Sequence, residues 1–272
     1  MALRRPGRAA RRIDGGVLKA QRTVLITGAS SGIGEACAHA FAASGDRLVL
    51  VARRGDRLEA LAADLEQAHG TRTLPMTLDV RDREAVAATL GALPDDWRDV
   101  DVLVNSAGLA AGFVAMQDAD PDDWDRMIET NVRGVLSVTR ALLPGMLERG
   151  SGHIINVGSI AGRAAYPAGA VYSATKAALD RITSGLRMDL LGTGLRVSTV
   201  DPGMVETEFS VVRFHGDQAR ADRVYEGLQA LSGADIAEAI VWVADRPPNV
   251  VIADMMILPA AQAGSGLLHR KG

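Results

Sequence analysis

Tyr172 and Lys176 stand four residues apart in the run Val171-Tyr172-Ser173-Ala174-Thr175-Lys176, so a helix would set a phenol and an ammonium on one face. A free phenol has a pKa of about 10, too high for a base near neutrality, and a neighbouring cation favours its ionised form. The pair is therefore a candidate proton donor and acceptor. Taken alone, the spacing also describes any solvated helix face. Two other segments give it meaning: the run Thr27-Gly28-Ala29-Ser30-Ser31-Gly32-Ile33-Gly34, and Ser159, which ends an apolar run thirteen residues before the tyrosine. Together they describe a nucleotide site with an acid-base group beside it.

Gly28, Gly32 and Gly34 have the spacing G-x-x-x-G-x-G between an apolar run and a helical pattern, with the hydroxyls of Ser30 and Ser31 and the backbone of Ile33 in the same turn. Missing side chains let the chain turn tightly beside a pyrophosphate, and the helix start supplies NH groups and positive potential. The next apolar run ends Leu50-Val51-Ala52-Arg53-Arg54, with no carboxylate before Asp56. An acid at this place binds ribose hydroxyls, whereas a guanidinium accommodates a 2′-phosphate. The expected cofactor is NADP(H), with Arg53 as the phosphate ligand and Arg54 as the second candidate. Asp79 and Val80 are expected to contact adenine, and Asn105-Ser106-Ala107-Gly108 forms a small-residue turn where backbone passes close to the cofactor.

These residues need a frame, and short continuous apolar runs supply it: Val24-Leu25-Ile26, Leu48 to Val51, Val102-Leu103-Val104, Ile154 to Val157, Val197 to Val200 and Val250-Val251-Ile252, with a weaker strand near Arg72 to Thr77. Continuous rather than alternating apolarity marks strands covered on both faces. Helical patterns lie between them at about 32–44, 56–68, 81–91, 122–148, 170–191 and 233–244. The expected fold is α/β, a Rossmann-type doubly wound parallel sheet of seven strands, flanked by helices on both faces in a single domain over 22–272. Residues 205–228, with Arg213, His215, Asp217, Arg220 and Arg223, interrupt this rhythm just past a strand end, where a substrate lid would lie.

The chain has 272 residues and is 47% hydrophobic, ample for one core. Thirty basic against 33 acidic residues, a net charge of −3, argues against nucleic acid or a membrane surface as partner and leaves a small molecule. The lone cysteine, Cys37, excludes an internal disulfide framework and points to a reducing, cytoplasmic setting. No apolar stretch approaches the roughly 20 residues that span a bilayer. Residues 1–21, with Arg4, Arg5, Arg8, Arg11, Arg12 and Lys19 against Asp14 alone, read as a disordered basic tail. Cys37, His39 and His69 fall on expected helix surfaces or turns without metal-ligand spacing, so no metal is expected.

From Arg22 onward the chain resembles the short-chain dehydrogenase/reductase family. The resemblance rests on Thr27 to Gly34, Asn105-Ser106-Ala107-Gly108, Asn131, Ser159, Tyr172 with Lys176, and Pro202-Gly203; Ser106 replaces a second asparagine usual in the family. It implies that Tyr172 passes the proton while hydride moves at the nicotinamide, that Ser159 holds the substrate oxygen, and that Lys176 grips the nicotinamide ribose. It further implies that Asn131 maintains a water chain from Lys176 to solvent, that Pro202, Gly203 and Val205 shape the loop above the nicotinamide, and that Thr207 bonds its carboxamide. A homotetramer built on the long helices is also implied.

Within that family, the run Val205-Glu206-Thr207-Glu208-Phe209-Ser210-Val211-Val212-Arg213-Phe214 is similar to the branch of NADP-dependent serine and 3-hydroxy acid dehydrogenases. The branch implies a small anionic hydroxy acid, or its carbonyl counterpart, as substrate. Arg163, four residues after Ser159, or Arg213 is then expected to bind its acid group through a planar two-point contact. Two other readings stand beside this one. A reductase of bulkier or neutral ketones and aldehydes would use a pocket containing Tyr166, Met204 and Phe209, and a non-enzymatic NADP(H)-binding redox sensor would not need Ser159, Tyr172 and Lys176 together.

Overall fold

The computed structural model describes residues 21–271, together with Arg12–Ile13 and Gly16–Val17, which pair as a short antiparallel ribbon. Most of the expected basic tail over 1–21 lies outside the described residues. Seven strands form one parallel sheet: β1 (Thr23–Thr27), β2 (Arg47–Ala52), β3 (Thr73–Thr77), β4 (Val102–Asn105), β5 (Gly152–Val157), β6 (Leu195–Pro202) and β7 (Asp254–Ile257). Their spatial order is β3-β2-β1-β4-β5-β6-β7. The chain winds outward through β2 and β3, then crosses to β4. Strand order therefore reverses between β1 and β4, which places a ligand crevice at their carboxyl ends.

Every residue of β1, β2 and β4 is buried, and apart from Thr23, Thr27, Arg47 and Asn105 at the strand ends both faces are apolar. On one face Cys37, Phe41, Leu58, Ile236 and Ile240 bring α1 (Gly32–Ala43), α2 (Gly55–His69) and α9 (Gly233–Ala244) against the sheet. On the other, Val86, Leu90, Val138, Leu142 and Met146 do so for α3 (Arg83–Gly91) and α5 (Val135–Arg149). Cys37 is fully buried, not on a helix surface as expected, because α1 is covered by α9 as well as by the sheet. Pro75 lies within β3, which a strand at the sheet edge tolerates.

Two elements depart from expectation. The last strand is Asp254–Ile257 rather than Val250-Val251-Ile252. It is an edge strand whose residues alternate between exposed and half-buried, so the continuous apolar run before it is connection and not sheet. The helix expected over 122–148 is broken: α4 (Pro121–Ile128) passes through a π-helical turn, Glu129–Gly134, into α5. Beyond α6 (Ala170–Asp189), the 205–228 segment carries two short helices, α7 (Phe209–Arg213) and α8 (Gln218–Arg223). Among the described residues no helix is long and apolar enough to cross a membrane, and no group of three His, Cys, Asp or Glu side chains could hold a metal ion.

Candidate active site

At the crevice, β1 passes directly into the glycine turn. Gly28 has φ +70°, and a Cβ there would stand 2.9 Å from the backbone of Ala107; one on Gly34 would stand 2.3 Å from the Gly28 carbonyl oxygen. Only glycine allows the turn to lie this close to β4 and to its own helix. Thr27 Oγ1 accepts from the amides of Ser106 (3.2 Å) and Ala107 (3.1 Å), locking the two turns together. The cleft above them has a volume of about 590 Å³.

Its cofactor end is lined by Gly28, Ser30, Ser31, Gly32 and Ile33 from the first turn, Arg53 and Arg54 after β2, and Asp79 and Val80 after β3. Gly34 does not line it; its role is the close packing just described. Arg53 forms no hydrogen bond or ion pair among the described residues, whereas Arg54 donates to Ser30 Oγ (3.1 Å), to the Ser30 carbonyl (3.2 Å) and to Glu208 (2.9 Å). The Asp79 carboxylate is held by Arg81 at 2.6 Å. Burial opposes its ionisation, but the hydrogen bonds and charge of Arg81, with Arg53 beyond, hold its pKa below the usual range. Ser106, Ala107 and Gly108 line the cleft. Asn105 does not: its side-chain amide donates to Thr139 on α5 (3.2 Å) and to Asn156 on β5 (2.9 Å), tying the sheet to that helix rather than facing the cleft.

The other end carries Ser159, Tyr172 and Lys176, covered by Pro202, Gly203, Val205, Thr207 and Arg213. Tyr172 and Lys176 are 9% and 7% exposed, one turn apart on α6. Lys176 Nζ donates to the Val157 carbonyl at 2.8 Å and lies 6.0 Å from the Tyr172 ring centre, so the ammonium is anchored beside the tyrosine ring. Burial pushes the Tyr172 pKa up to about 12, against a hydrogen bond with Ser159 and the charge of Arg213. Burial lowers that of Lys176 to about 8, against the field of Asp201.

Asn131 sits in the π-turn, where its Oδ1 accepts from the Leu109 amide and its Nδ2 donates to the Leu109 carbonyl, both at 2.8 Å, and to Thr175 (3.1 Å). It does not reach the cleft wall but backs it: a Cβ on Gly108 would meet Asn131 Oδ1 at 3.3 Å and Lys176 Nζ at 3.5 Å.

The two arginines expected near the substrate separate. Arg163 turns away to Asp201 (2.5 Å) and Asp254 (2.7 Å), and its pKa is raised by these hydrogen bonds. It does not line the cleft, so its expected substrate contact is corrected. The carboxylates that claim it come from β6 and β7, too far along the chain to be foreseen. Arg213, the last residue of α7, stands over the site with Phe113, Tyr166, Tyr172 and Phe209 ring centres at 5.8, 5.8, 5.4 and 4.9 Å. It donates to the Tyr166 hydroxyl at 2.8 Å, and its buried Nε finds no partner among the described residues.

Several residues at the site had no motif to mark them. Gln262 accepts from the Met204 amide at 2.8 Å, and Ser265, Leu268 and Arg270 complete the cleft from the chain's last ribbon. His215 has φ +53°, and its Nε2 lies 3.0 Å from buried Asp123; the succession His215-Gly216 was the one available signal of a tight turn there.

Residues 22–217 match the model of the short chain dehydrogenase family. An NADP-dependent 3-hydroxy acid dehydrogenase of Schizosaccharomyces pombe is 46% identical over 261 residues, 96% of this chain and 98% of that protein. A sulfoacetaldehyde reductase of Chromohalobacter salexigens is 47% identical over 243 residues, 89% of this chain and 95% of the relative. Among solved structures, the closed form of a serine dehydrogenase complexed with NADP+ superposes with a TM-score of 0.85 at 43% identity, covering 92% of this chain and all of that one. With its glycine turn, its buried tyrosine-lysine pair and this breadth of match, the chain belongs to the short-chain dehydrogenase family.

Proposed function

We propose that this protein is an NADP(H)-dependent oxidoreductase that transfers hydride between the nicotinamide and a small hydroxy acid or its carbonyl counterpart. The observation that carries the reading is Arg213, a guanidinium with an unsatisfied buried Nε, poised over Tyr172 in the same cleft as the glycine turn. A carboxylate or sulfonate would satisfy that nitrogen and place the adjoining carbinol beside Ser159 and Tyr172. The S. pombe and C. salexigens relatives are named for substrates that carry such groups.

The cofactor fits the residues present. The glycine turn leaves room for a pyrophosphate, Arg53 offers an uncommitted guanidinium for the 2′-phosphate, and Lys176 and Thr207 flank the nicotinamide end. NADP(H), when bound, supplies or accepts the hydride at C4 of its nicotinamide. Tyr172 supplies or accepts the proton at the substrate oxygen, Ser159 holds that oxygen by a hydrogen bond, and Lys176 with Asn131 behind it connects the pair to solvent. With its pKa near 12, Tyr172 holds its proton at neutrality and is set to act as an acid in reduction. In oxidation the phenol must be ionised, and the positive charges of Arg213 and the oxidised nicotinamide assist. Residues 205–228 act as a lid, closing Arg213 over the substrate and excluding water.

Initial rates with NADP+ and NAD+ against L-serine, L-allo-threonine, 3-hydroxypropionate and a neutral secondary alcohol test this. Faster reduction of NADP+ with the hydroxy acids is expected; turnover confined to the neutral alcohol would refute the anion reading. We also infer a homotetramer in a reducing, cytoplasmic setting. The apolar side chains of Ile128, Leu136 and Leu147 on α4 and α5, and of Met188 and Leu191 at the end of α6, are exposed in the single chain and support the assembly. Sedimentation at the mass of one chain would overturn it.

A further inference from the structure

The 205–228 segment is tied to the cofactor end of the cleft by charge. Glu208 immediately precedes α7, and its carboxylate accepts from Arg54 at 2.9 Å and from Arg57 at 2.6 Å. Arg54 reaches inward at the same time, through Nε to Ser30 Oγ (3.1 Å) and through a terminal nitrogen to the Ser30 carbonyl (3.2 Å). An unbroken line of contacts thus runs from the glycine turn through Arg54 and Glu208 into α7, whose last residue is Arg213. The residue before Glu208 reinforces it: Thr207 lies so close to Gly32 that a Cβ there would come within 3.2 Å of its side chain.

Two adjacent arginines therefore have different surroundings. Arg53 lines the cleft with no hydrogen bond or ion pair among the described residues, while Arg54 is fully engaged. Glu208 is also held ionised, first by the hydrogen bond from Arg57 and then by Arg54, so the contact persists across the neutral range. Beyond Glu208, at the end of α7, the segment is fastened separately, by the Gly112 amide to the Arg213 carbonyl (3.0 Å) and by His215 to Asp123 (3.0 Å).

We propose that Glu208 is a positioning residue for the substrate half-site: gripped by Arg54 and Arg57, it clasps the lid to the phosphate-binding turn and so keeps Arg213 over Tyr172, leaving the 2′-phosphate to Arg53. Cofactor binding and lid closure are then linked through Ser30 and Arg54, which belong to both. The proposal rests on residues 205–228 acting as a lid. Because the partners are each about 40% exposed or more, the clasp is weak enough to open on every turnover and sensitive to salt.

The test compares the full-length wild type with Glu208→Gln and Arg57→Gln, the latter changing a side chain that, among the described residues, bonds only Glu208. Glu208→Gln, which removes two exposed ion pairs, should raise KM for 3-hydroxypropionate by about 3- to 10-fold, and Arg57→Gln, which removes one, by about 2- to 5-fold, while kcat and KM for NADP+ change less. Backbone hydrogen exchange over 209–223, measured with NADP+ and 3-hydroxypropionate bound, should be faster in both. Added salt near 0.5 M should bring the wild type to the variants' KM. Unchanged substrate KM and unchanged lid exchange would overturn the clasp, as would a change confined to KM for NADP+, which would place Glu208 at the phosphate instead. The lid reading fails on a separate result, namely that NADP+ and substrate do not slow exchange over 209–223 in the wild type.

Discussion

Replacing Arg213 with glutamine should remove most of the preference for an anionic substrate while sparing the chemistry common to all alcohols. The guanidinium contributes twice. As the proposed partner of the substrate acid group it makes a charge-assisted hydrogen bond of about 1.5–3 kcal/mol, so its loss should lower kcat/KM for a hydroxy acid by about 10- to 150-fold. As a charge 5.4 Å from the Tyr172 ring it also eases ionisation of the phenol, and this second loss falls on every substrate alike. The informative quantity is therefore the ratio of kcat/KM for 3-hydroxypropionate to that for a neutral secondary alcohol of similar size, measured with saturating NADP+. It should fall by about 10-fold or more in the variant. Arg213→Lys should recover part of the ratio, since it keeps the charge but not the planar fork. An unchanged ratio in Arg213→Gln, in a protein that melts within a few degrees of the wild type, would refute the anion clamp.

Arg53→Gln should lower kcat/KM for NADP+ by about 10-fold or more with little effect on NAD+, because the proposed site gives the 2′-phosphate a single guanidinium; equal losses with both cofactors would shift the phosphate contact elsewhere. Gly34→Ala forces a methyl to within 2.3 Å of the Gly28 carbonyl and should lower stability by about 1–3 kcal/mol in urea denaturation, with weaker NADP+ binding; wild-type behaviour would show that the turn yields. His153, 1% exposed on β5 and bonded to Ser198 at 2.8 Å, has its pKa lowered by burial from 6.5 to about 3. It is neutral when folded and takes a proton when unfolded, so it stabilises the native state above pH 6.5, and that contribution drains away as pH falls toward 3. Between pH 7 and 4.5 this amounts to about 3 kcal/mol. Urea midpoints of His153→Gln should therefore fall less steeply over that interval than those of the wild type; parallel curves would refute the assignment.

The central strands and the cofactor turn were legible because burial on both faces and close backbone approach leave local marks, continuous apolar runs and glycines. β7 was misplaced because an edge strand needs no such run, and Val250-Val251-Ile252 offered a better imitation. The choice between Arg163 and Arg213 was not legible at all. Proximity to Ser159 in sequence favoured the first, but Asp201 and Asp254, brought beside it by β6 and β7, take up its Nε and one terminal nitrogen. Cys37 and Glu208 fall in the same class: helix phase does not say that α9 lies over α1, and nothing near Glu208 announces Arg54 and Arg57. The π-turn was equally silent, since the apolar pattern of 122–148 suits an unbroken helix.

With Asn131 in the role proposed for it, that π-turn sets stability and activity against each other. An extra residue in one turn of a helix weakens local hydrogen bonding and survives where the displaced side chain is needed. Here that side chain is Asn131, whose amide closes on both backbone groups of Leu109 and on Thr175. A one-residue deletion within Glu129–Gly134 would regularise the longest helical span on this face, and selection for heat resistance alone would reward it. It would also rotate α4 by about 100° against α5 and carry Asn131 off the wall behind Lys176. Efforts to harden this enzyme should therefore leave the imperfect turn in place and look instead to the exposed connections around β7.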